Sequence, residues 1–276
     1  MHLTPQQRSY FDTFGFLIFP GLVADCIDEI TTAFENVWRE RGGGHNGKPH
    51  SGERRSLIVP FIDQHERLCA LLDDVRISGI IESLLGPDFN YWTSDGNYYT
   101  GDTKWHSHPF FGNLRAVKLA FYLDPLKAET GCLRVIPGSH KFGDTYANEL
   151  HAFLKDSEEL WSLSPSQVPS VALETQPGDV IVFNHCIKHG SFGGGKQRRL
   201  FVINCCERFP DEKLDVLQTM VGSMARFWVD SVYGKAMVET ADAKRMKHLE
   251  QILANQNHLP ALAAKAKLEM SEPSRG

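Results

Sequence analysis

The sequence predicts a mostly β fold with flanking α-helices, its core a double-sheet jelly roll. Two observations carry this. Between about residues 88 and 207, short apolar runs recur, each closed by Gly, Pro or Asp, the pattern of strands joined by turns. Before and after that stretch the composition favours helices. No internal repeat or convincing linker divides the chain. Residues 1–276 are therefore read as a single domain, with a β core at about 88–207 and a C-terminal helical region at about 211–270.

The elements follow in order. Residues 3–40 read as helical, with Thr4 as N-cap and Pro5 at the first helical position. Gly15 breaks the pattern, and Phe16-Leu17-Ile18-Phe19 reads as a short strand before a second helix from about Asp25 to Arg39. Residues 41–55 form a Gly-rich, basic loop containing Arg41, His45, His50, Arg54 and Arg55. It is expected to bury little and to be mobile, either a plain solvated loop or a lid over an anionic substrate. Asp63 to Leu85 reads as one helix closing at Gly86-Pro87. Strands are expected at Phe89–Thr93, Val117–Leu123, Cys132–Ile136, Val171–Thr175, Val180–Phe183 and Leu200–Cys205, with a helical insert at Asp144–Trp161. Helix resumes from Asp211 to about Leu253, and Ser271–Gly276 reads as a frayed tail.

Bulk composition narrows the function classes. Hydrophobic content of 42% and charged content of 23% are those of an ordinary soluble globular protein. A net charge of −5 argues against a generic nucleic-acid binder. The first residues show no basic region followed by an apolar stretch, and the longest apolar runs are too short to span a bilayer. Six cysteines without a Cys-x-x-Cys pair read as reduced thiols. A cytoplasmic protein, with no membrane and no nucleic-acid partner, is the expectation.

The chemistry concentrates in Lys104-Trp105-His106-Ser107-His108, Lys188-His189-Gly190-Ser191 and Arg198-Arg199. Histidines at i and i+2 put both imidazoles on one face of a strand. A third histidine from a distant strand completes a face of three ligands, leaving the opposite face of a metal open for a co-substrate and oxygen. A lone histidine in a β-protein is usually structural, but this grouping is much less expected by chance. His185 competes with His189, or orients a ligand from behind. Arg198 and Arg199 alternate across a strand, so one faces inward and can grip a carboxylate with two parallel hydrogen bonds. Lys118 points either into the barrel as a second anion contact or outward on an edge strand. Asn97, Tyr98 and Tyr99 are candidates to line the pocket.

Two motifs are set aside. Gly190–Lys196 spells most of a phosphate-binding loop, but Gln197 stands where Ser or Thr should reach Mg²⁺, and a strand follows instead of a helix. Ser139-His140 resembles a nucleophile–base pair, yet adjacent residues point apart.

Trp105-His106-Ser107-His108, Thr130–His140, Pro177–Phe183 and His189-Gly190-Ser191 together resemble the phytanoyl-CoA dioxygenase family of Fe(II)/2-oxoglutarate-dependent oxygenases. That resemblance implies a double-stranded β-helix (jelly roll, cupin-like) and an oxidoreductase. It places Fe(II) on His106, position 108 and His189. It places the far carboxylate of 2-oxoglutarate on Arg198, with Arg199 the competitor and Ser191 in support. Asn97 and Lys118 are further expected contacts of the co-substrate. O2 would oxidise, usually hydroxylate, a C–H bond of a small molecule, with succinate and CO2 as co-products. Gly131, Pro137 and Gly138 match the family as turn residues and are given no chemistry. Residues 41–55 and 144–161 are the expected covers of the site.

The chain departs from the pattern at His108, where the family carries an acidic residue. Three imidazoles can still form a facial site, and His108 is expected to ligate. Halogenation on this fold would need a small residue there, and His108 is bulky. The alternatives kept open are a variant iron oxygenase with a three-histidine site and a non-catalytic metal-binding member. Basic residues in the N-terminal loop hint weakly at an anionic substrate. Monomer and homodimer are both compatible with the sequence.

Overall fold

The computed structural model describes residues 1–108, 114–141 and 143–276. Among them are ten strands: β1 Phe16–Phe19, β2 Ser56–Ile58, β3 Phe89–Tyr99, β4 Thr103–His106, β5 Ala116–Tyr122, β6 Leu133–Val135, β7 Val171–Leu173, β8 Val180–Asn184, β9 His189–Ser191 and β10 Arg198–Glu207. They form a six-stranded sheet in the order β1-β8-β5-β10-β3-β2 and a four-stranded sheet in the order β4-β9-β6-β7. All pairings are antiparallel. This is the expected jelly roll with flanking helices.

The large sheet is covered on both faces, for different reasons. Its outer face carries Tyr91, Phe121 and Phe201, packed against Phe34 and Trp38 of the helix Ile27–Glu40 and against Phe61. Phe121 and Phe201 stack with centroids 4.6 Å apart. Gly96 makes this packing possible, since a Cβ there would fall 2.0 Å from the Phe61 ring. The inner face faces the small sheet across Ala120, Tyr122, Leu133, Leu173 and Leu200. Because side chains alternate along a strand, β3 sends Asp95, Asn97 and Tyr99 inward to a cavity between the sheets. Tyr98 goes outward, stacking on Trp38 at 4.3 Å.

Several elements match the sequence reading. Thr4 and Gln7 form a reciprocal capping box on the helix Pro5–Phe14, and Gly15 ends it in the left-handed conformation. The insert is helical at Thr145–Phe153 and Ser157–Trp161. It does not cover the site, however. Leu150 and Leu154 pack on Trp105 and Phe192 in a separate apolar cluster, and no residue of 144–161 lines the cavity.

Other expectations are corrected. Asp63–Leu85 is not one helix: a 3-10 turn Ile62–Gln64, a short helix Glu66–Cys69 and a turn Ala70–Leu72 precede the helix Val75–Leu85, which Asp74 caps. The reason is Asp63. It is buried, and its carboxylate accepts from the Tyr91 hydroxyl (2.5 Å), the Ser94 hydroxyl (3.2 Å) and the Gly234 N–H (3.1 Å). Residues 41–55 are not a loop that buries little: His45 is buried, with Nδ1 3.2 Å from Leu57 O and Nε2 2.9 Å from Pro273 O. Nor are residues 271–276 frayed. Ser274 N–H donates to Arg226 O (2.8 Å), Arg275 Nη1 donates to Arg55 O (2.6 Å), and Glu272 pairs with Arg54 and Arg275. The two segments hold each other down.

All six cysteines are free thiols. Among the described residues no helix is long and apolar enough to cross a membrane.

Candidate metal centre and carboxylate pocket

In the small sheet β4 and β9 pair so that His106 lies opposite His189, their rings 4.1 Å apart. His108 follows two residues on, just past the end of β4, its N–H held by His185 O at 3.1 Å. Its ring lies 5.3 Å from that of His106 and 5.2 Å from that of His189. One ring nitrogen from each of the three comes within 4.8 Å of the others. The i, i+2 pair His106 and His108 and the distant His189 thus come together.

Hydrogen bonds set the tautomer of two of them. His106 Nδ1 lies 2.8 Å from Lys104 O, and His189 Nδ1 lies 2.9 Å from Ile187 O. A carbonyl only accepts, so each Nδ1 carries the proton and each Nε2 keeps its lone pair. Burial holds both imidazoles below the ordinary histidine range, which keeps them neutral, the form that binds metal.

His108 differs. Its Nε2 is 2.6 Å from Lys118 Nζ. Lys118 sits on β5 between β8 and β10, so it is on an interior strand and points inward, not out from an edge. An ammonium has only protons to give. With Lys118 charged, Nε2 accepts, the His108 proton resides on Nδ1, and neither nitrogen has a free lone pair. His108 becomes a ligand either by turning Nε2 off Lys118 or with Lys118 as a neutral amine accepting an Nε2–H, which frees Nδ1. Burial draws the Lys118 ammonium down to about 8, and burial and Lys118 together hold His108 well below the usual range.

His185 lies behind this group. Its Nε2 is 3.3 Å from Asn204 Oδ1, and its ring is 4.8 Å from His108. It backs His108 and is not one of the three converging histidines.

The two arginines separate cleanly. Arg199 faces outward, paired with Asp124 at 2.6 Å and Glu35 at 3.0 Å. Arg198 is buried, and among the described residues it makes no ion pair. Its Nη1 donates to Gly131 O (2.6 Å), its Nη2 to the Ser191 hydroxyl (3.0 Å), and its Nε has no partner. Tyr99 lies against the guanidinium, 5.1 Å from ring centroid to Cζ. A buried guanidinium without a carboxylate is costly unless a ligand supplies one. Sequence reasoning missed what makes room for it. A Cβ on Gly131 would sit 2.0 Å from Arg198 Nη1, and one on Gly194 would sit 2.7 Å away. The Gly131 turn therefore makes room for the guanidinium. The Gly190–Lys196 loop is no phosphate cradle: the Asp102 carboxylate already accepts from the Gly193 and Gly194 N–H groups, at 2.7 and 3.4 Å.

Asn97 lines the cavity as expected, but its amide is engaged. Oδ1 accepts from Arg55 Nε (2.6 Å) and Nδ2 donates to Asp95 Oδ2 (2.8 Å). Tyr99 faces the cavity, whereas Tyr98 sends its hydroxyl to Glu35 at 2.7 Å. The cavity has a volume of about 570 Å³ and holds the three histidines, Lys118, Ser191 and Arg198 on its walls. Two neutral imidazoles with free Nε2 atoms beside an unpaired buried guanidinium fit a divalent metal next to a small dicarboxylate.

Comparison with known proteins places the fold and the family. An ectoine dioxygenase of Sphingopyxis alaskensis is 26% identical over 219 residues, covering 69% of this chain and 71% of the relative. A 2-aminoethylphosphonate dioxygenase of the uncultured bacterium HF130_AEPn_1 is 25% identical over 207 residues, covering 69% and 76%. Among solved structures, the non-heme alpha ketoglutarate dependent carbocyclase SnoK from nogalamycin biosynthesis superposes with a TM-score of 0.58 at 21% identity, covering 74% of this chain and 84% of that one. HygX from Streptomyces hygroscopicus, with nickel and 2-oxoglutarate bound, gives 0.58 at 18% identity, covering 76% and 89%. The family pattern described as phytanoyl-CoA dioxygenase (PhyH) matches residues 11–200, from the first helix to the start of β10. The chain belongs to the phytanoyl-CoA dioxygenase family.

Proposed function

We propose that the protein is an Fe(II)- and 2-oxoglutarate-dependent oxygenase that oxidises, most simply hydroxylates, a C–H bond of a small molecule, with succinate and CO2 as co-products. Residues 1–276 act as one domain, in the cytoplasm. The observation that carries the reading is Arg198: a buried, unpaired guanidinium opening on the same cavity as three converging histidines.

His106 and His189 would hold the metal through Nε2, with His108 the third ligand once released from Lys118. Bound iron with 2-oxoglutarate supplies the activation of O2 and the oxidising equivalents. The protein's residues do the rest. The carbonyls of Lys104 and Ile187 fix the two imidazoles in the ligating tautomer. Arg198 takes the far carboxylate of the co-substrate, with the Ser191 hydroxyl bridging to the same guanidinium. Gly131 and Gly194 let that guanidinium lie deep, where water does not compete for it.

One observation favours the second reading, a metal-binding member without turnover: Lys118 engages His108 and sets a cation beside position 108, where the resemblance implies an acidic ligand. The test of both is formation of succinate from 2-oxoglutarate with added Fe(II) under air. Fe(II)-dependent succinate that disappears in His106→Ala supports the oxygenase. Metal binding with no succinate supports the second reading.

A further inference from the structure

The charged residues of the cavity do not balance. Among the described residues lining it, Arg55, Lys118, Arg198 and Arg226 carry cationic side chains and Asp95 carries the one acidic side chain, with the Gly276 main chain also on the wall. The proposed co-substrate uses Arg198 and, through the metal, the histidines. That leaves the side chains of Arg55, Lys118 and Arg226 against one acidic side chain. Asp95 touches Arg55 only at 3.4 Å and also accepts from Asn97. Arg226 makes no ion pair among the described residues and rests its guanidinium on the Phe227 ring at 4.6 Å.

Arg55 and Arg226 come from different parts of the chain to one end of the cavity. Arg55 precedes β2, and Arg226 lies in the 3-10 turn Met224–Phe227. Arg55 is held in place: its Nε donates to Asn97, and its guanidinium lies 4.5 Å from the centroid of Tyr99. The Arg198 guanidinium lies 5.1 Å from the centroid of the same ring. Burial and the Arg55 charge both pull Arg226 below the usual guanidinium range, as expected for two cations facing one space. The 271–276 segment borders the same end. Ser274 bonds the Arg226 backbone, and a Cβ on Gly276 would lie 2.3 Å from Arg55 Nη1.

We infer that this end of the cavity is the substrate subsite, and that the substrate carries an oxyanion (carboxylate, phosphonate or phosphate) held between Arg55 and Arg226. The inference rests on the oxygenase reading of the same cavity. Arg55 is held by Asn97, and Arg198 by Gly131 and Ser191, so each anion has its own guanidinium and two anions can be held in one cavity without sharing a cation. Guanidinium is the suitable group, because its planar fork matches an oxyanion at two points.

The test loads the protein with Co(II) and 2-oxoglutarate, then titrates methylphosphonate, acetate and neutral acetamide by calorimetry. One site for at least one of the anions is expected, with no acetamide binding. Arg226→Gln and Arg55→Gln should each weaken anion binding by about tenfold or more, and Arg226→Lys should recover part of the loss. Equal binding of acetamide, no binding of either anion, or undiminished anion binding in both Gln variants would overturn the assignment. Thermal melting of each variant shows whether a loss is simply unfolding. If 2-oxoglutarate does not bind the Co(II) protein, the oxygenase reading has failed by itself. The titration is then run on Arg198→Gln, where methylphosphonate binding abolished by adding Arg226→Gln still supports the subsite, and its persistence contradicts it.

Discussion

His106 and His189 on one side, and His108 on the other, are the same residue type in one cluster, yet their chemistry differs. The first two give a proton to a carbonyl two residues back in the chain, which leaves Nε2 free. His108 meets Lys118 instead, and its lone pair is engaged. The lesson is that residue identity and spacing bring ligands together, but the partner of the second ring nitrogen decides which of them is ready. Lys118 would be a natural counter-ion for the carboxylate the family carries at position 108. Here it faces an imidazole.

The largest effect that can break this comparison is loss of an orthodox ligand. His106→Ala and His189→Ala should each bring succinate formation to background, with the thermal melt retained. Measurable turnover in either would mean that the two are not the primary pair.

The arginine series comes next. Arg198→Ala should raise the 2-oxoglutarate requirement roughly a hundredfold, from loss of charge-assisted hydrogen bonds in a buried site. Arg198→Lys keeps the charge without the fork and should fall between. Gly131→Ala should behave like a weakened Arg198, because its Cβ would occupy the Nη1 position and its φ is +89°. Arg199→Ala, on the outer face, should leave the 2-oxoglutarate requirement unchanged. Steady-state kinetics over 2-oxoglutarate concentration checks all four.

Smaller effects sharpen the His108 side. Lys118→Met removes a cation 2.6 Å from that ring and should tighten Fe(II) or Co(II) by about tenfold. His108→Ala should weaken it by a similar factor, about tenfold. His108→Asp should retain or raise turnover, since Lys118 can pair with the new carboxylate. Metal titration of the three variants reads the ranking. Tighter binding in His108→Ala than in the wild type would show that His108 does not ligate.

The smallest effect on activity belongs to Asp63, a buried group on the outer face of the large sheet. Burial raises its carboxyl to about 6 in the folded protein, against an ordinary value of 3.8. The folded state therefore holds a proton that the unfolded state releases. The contribution is fully present below about pH 4 and is lost as pH rises through 6, by up to roughly 3 kcal/mol. Asp63→Asn should flatten that part of the urea midpoint between pH 4 and 7 and leave the metal affinity alone. A variant with the wild-type slope would contradict it.

Much of the site was legible in the sequence because its signals are local. The i, i+2 histidines and the inward–outward alternation of Arg198 and Arg199 follow from strand geometry. Turn residues marked most strand ends. What was not legible depends on contacts made far along the chain. The strand expected at Phe89–Thr93 runs on through Ser94-Asp95-Gly96-Asn97 to Tyr99. Those residues are polar because Asp95 and Asn97 line a cavity, and one is Gly because Phe61 packs there. The helix expected from Asp63 is broken because its carboxylate is held by Tyr91 and Gly234. Segments 41–55 and 271–276 each look loose alone and are fixed by each other through His45, Arg55 and Pro273. The Lys118–His108 contact joins β5 to a residue just past β4, and no spacing rule reports it.

The central claim is that His106, His189 and Arg198 hold a metal and 2-oxoglutarate together in one cavity. A crystal structure of the protein grown anaerobically with Fe(II) and 2-oxoglutarate tests it most directly. Metal density is expected on the Nε2 atoms of His106 and His189, with the far carboxylate on the guanidinium of Arg198 beside Ser191. Metal bound elsewhere, or a carboxylate on Arg55 or Arg226 with Arg198 left unpaired, would contradict it.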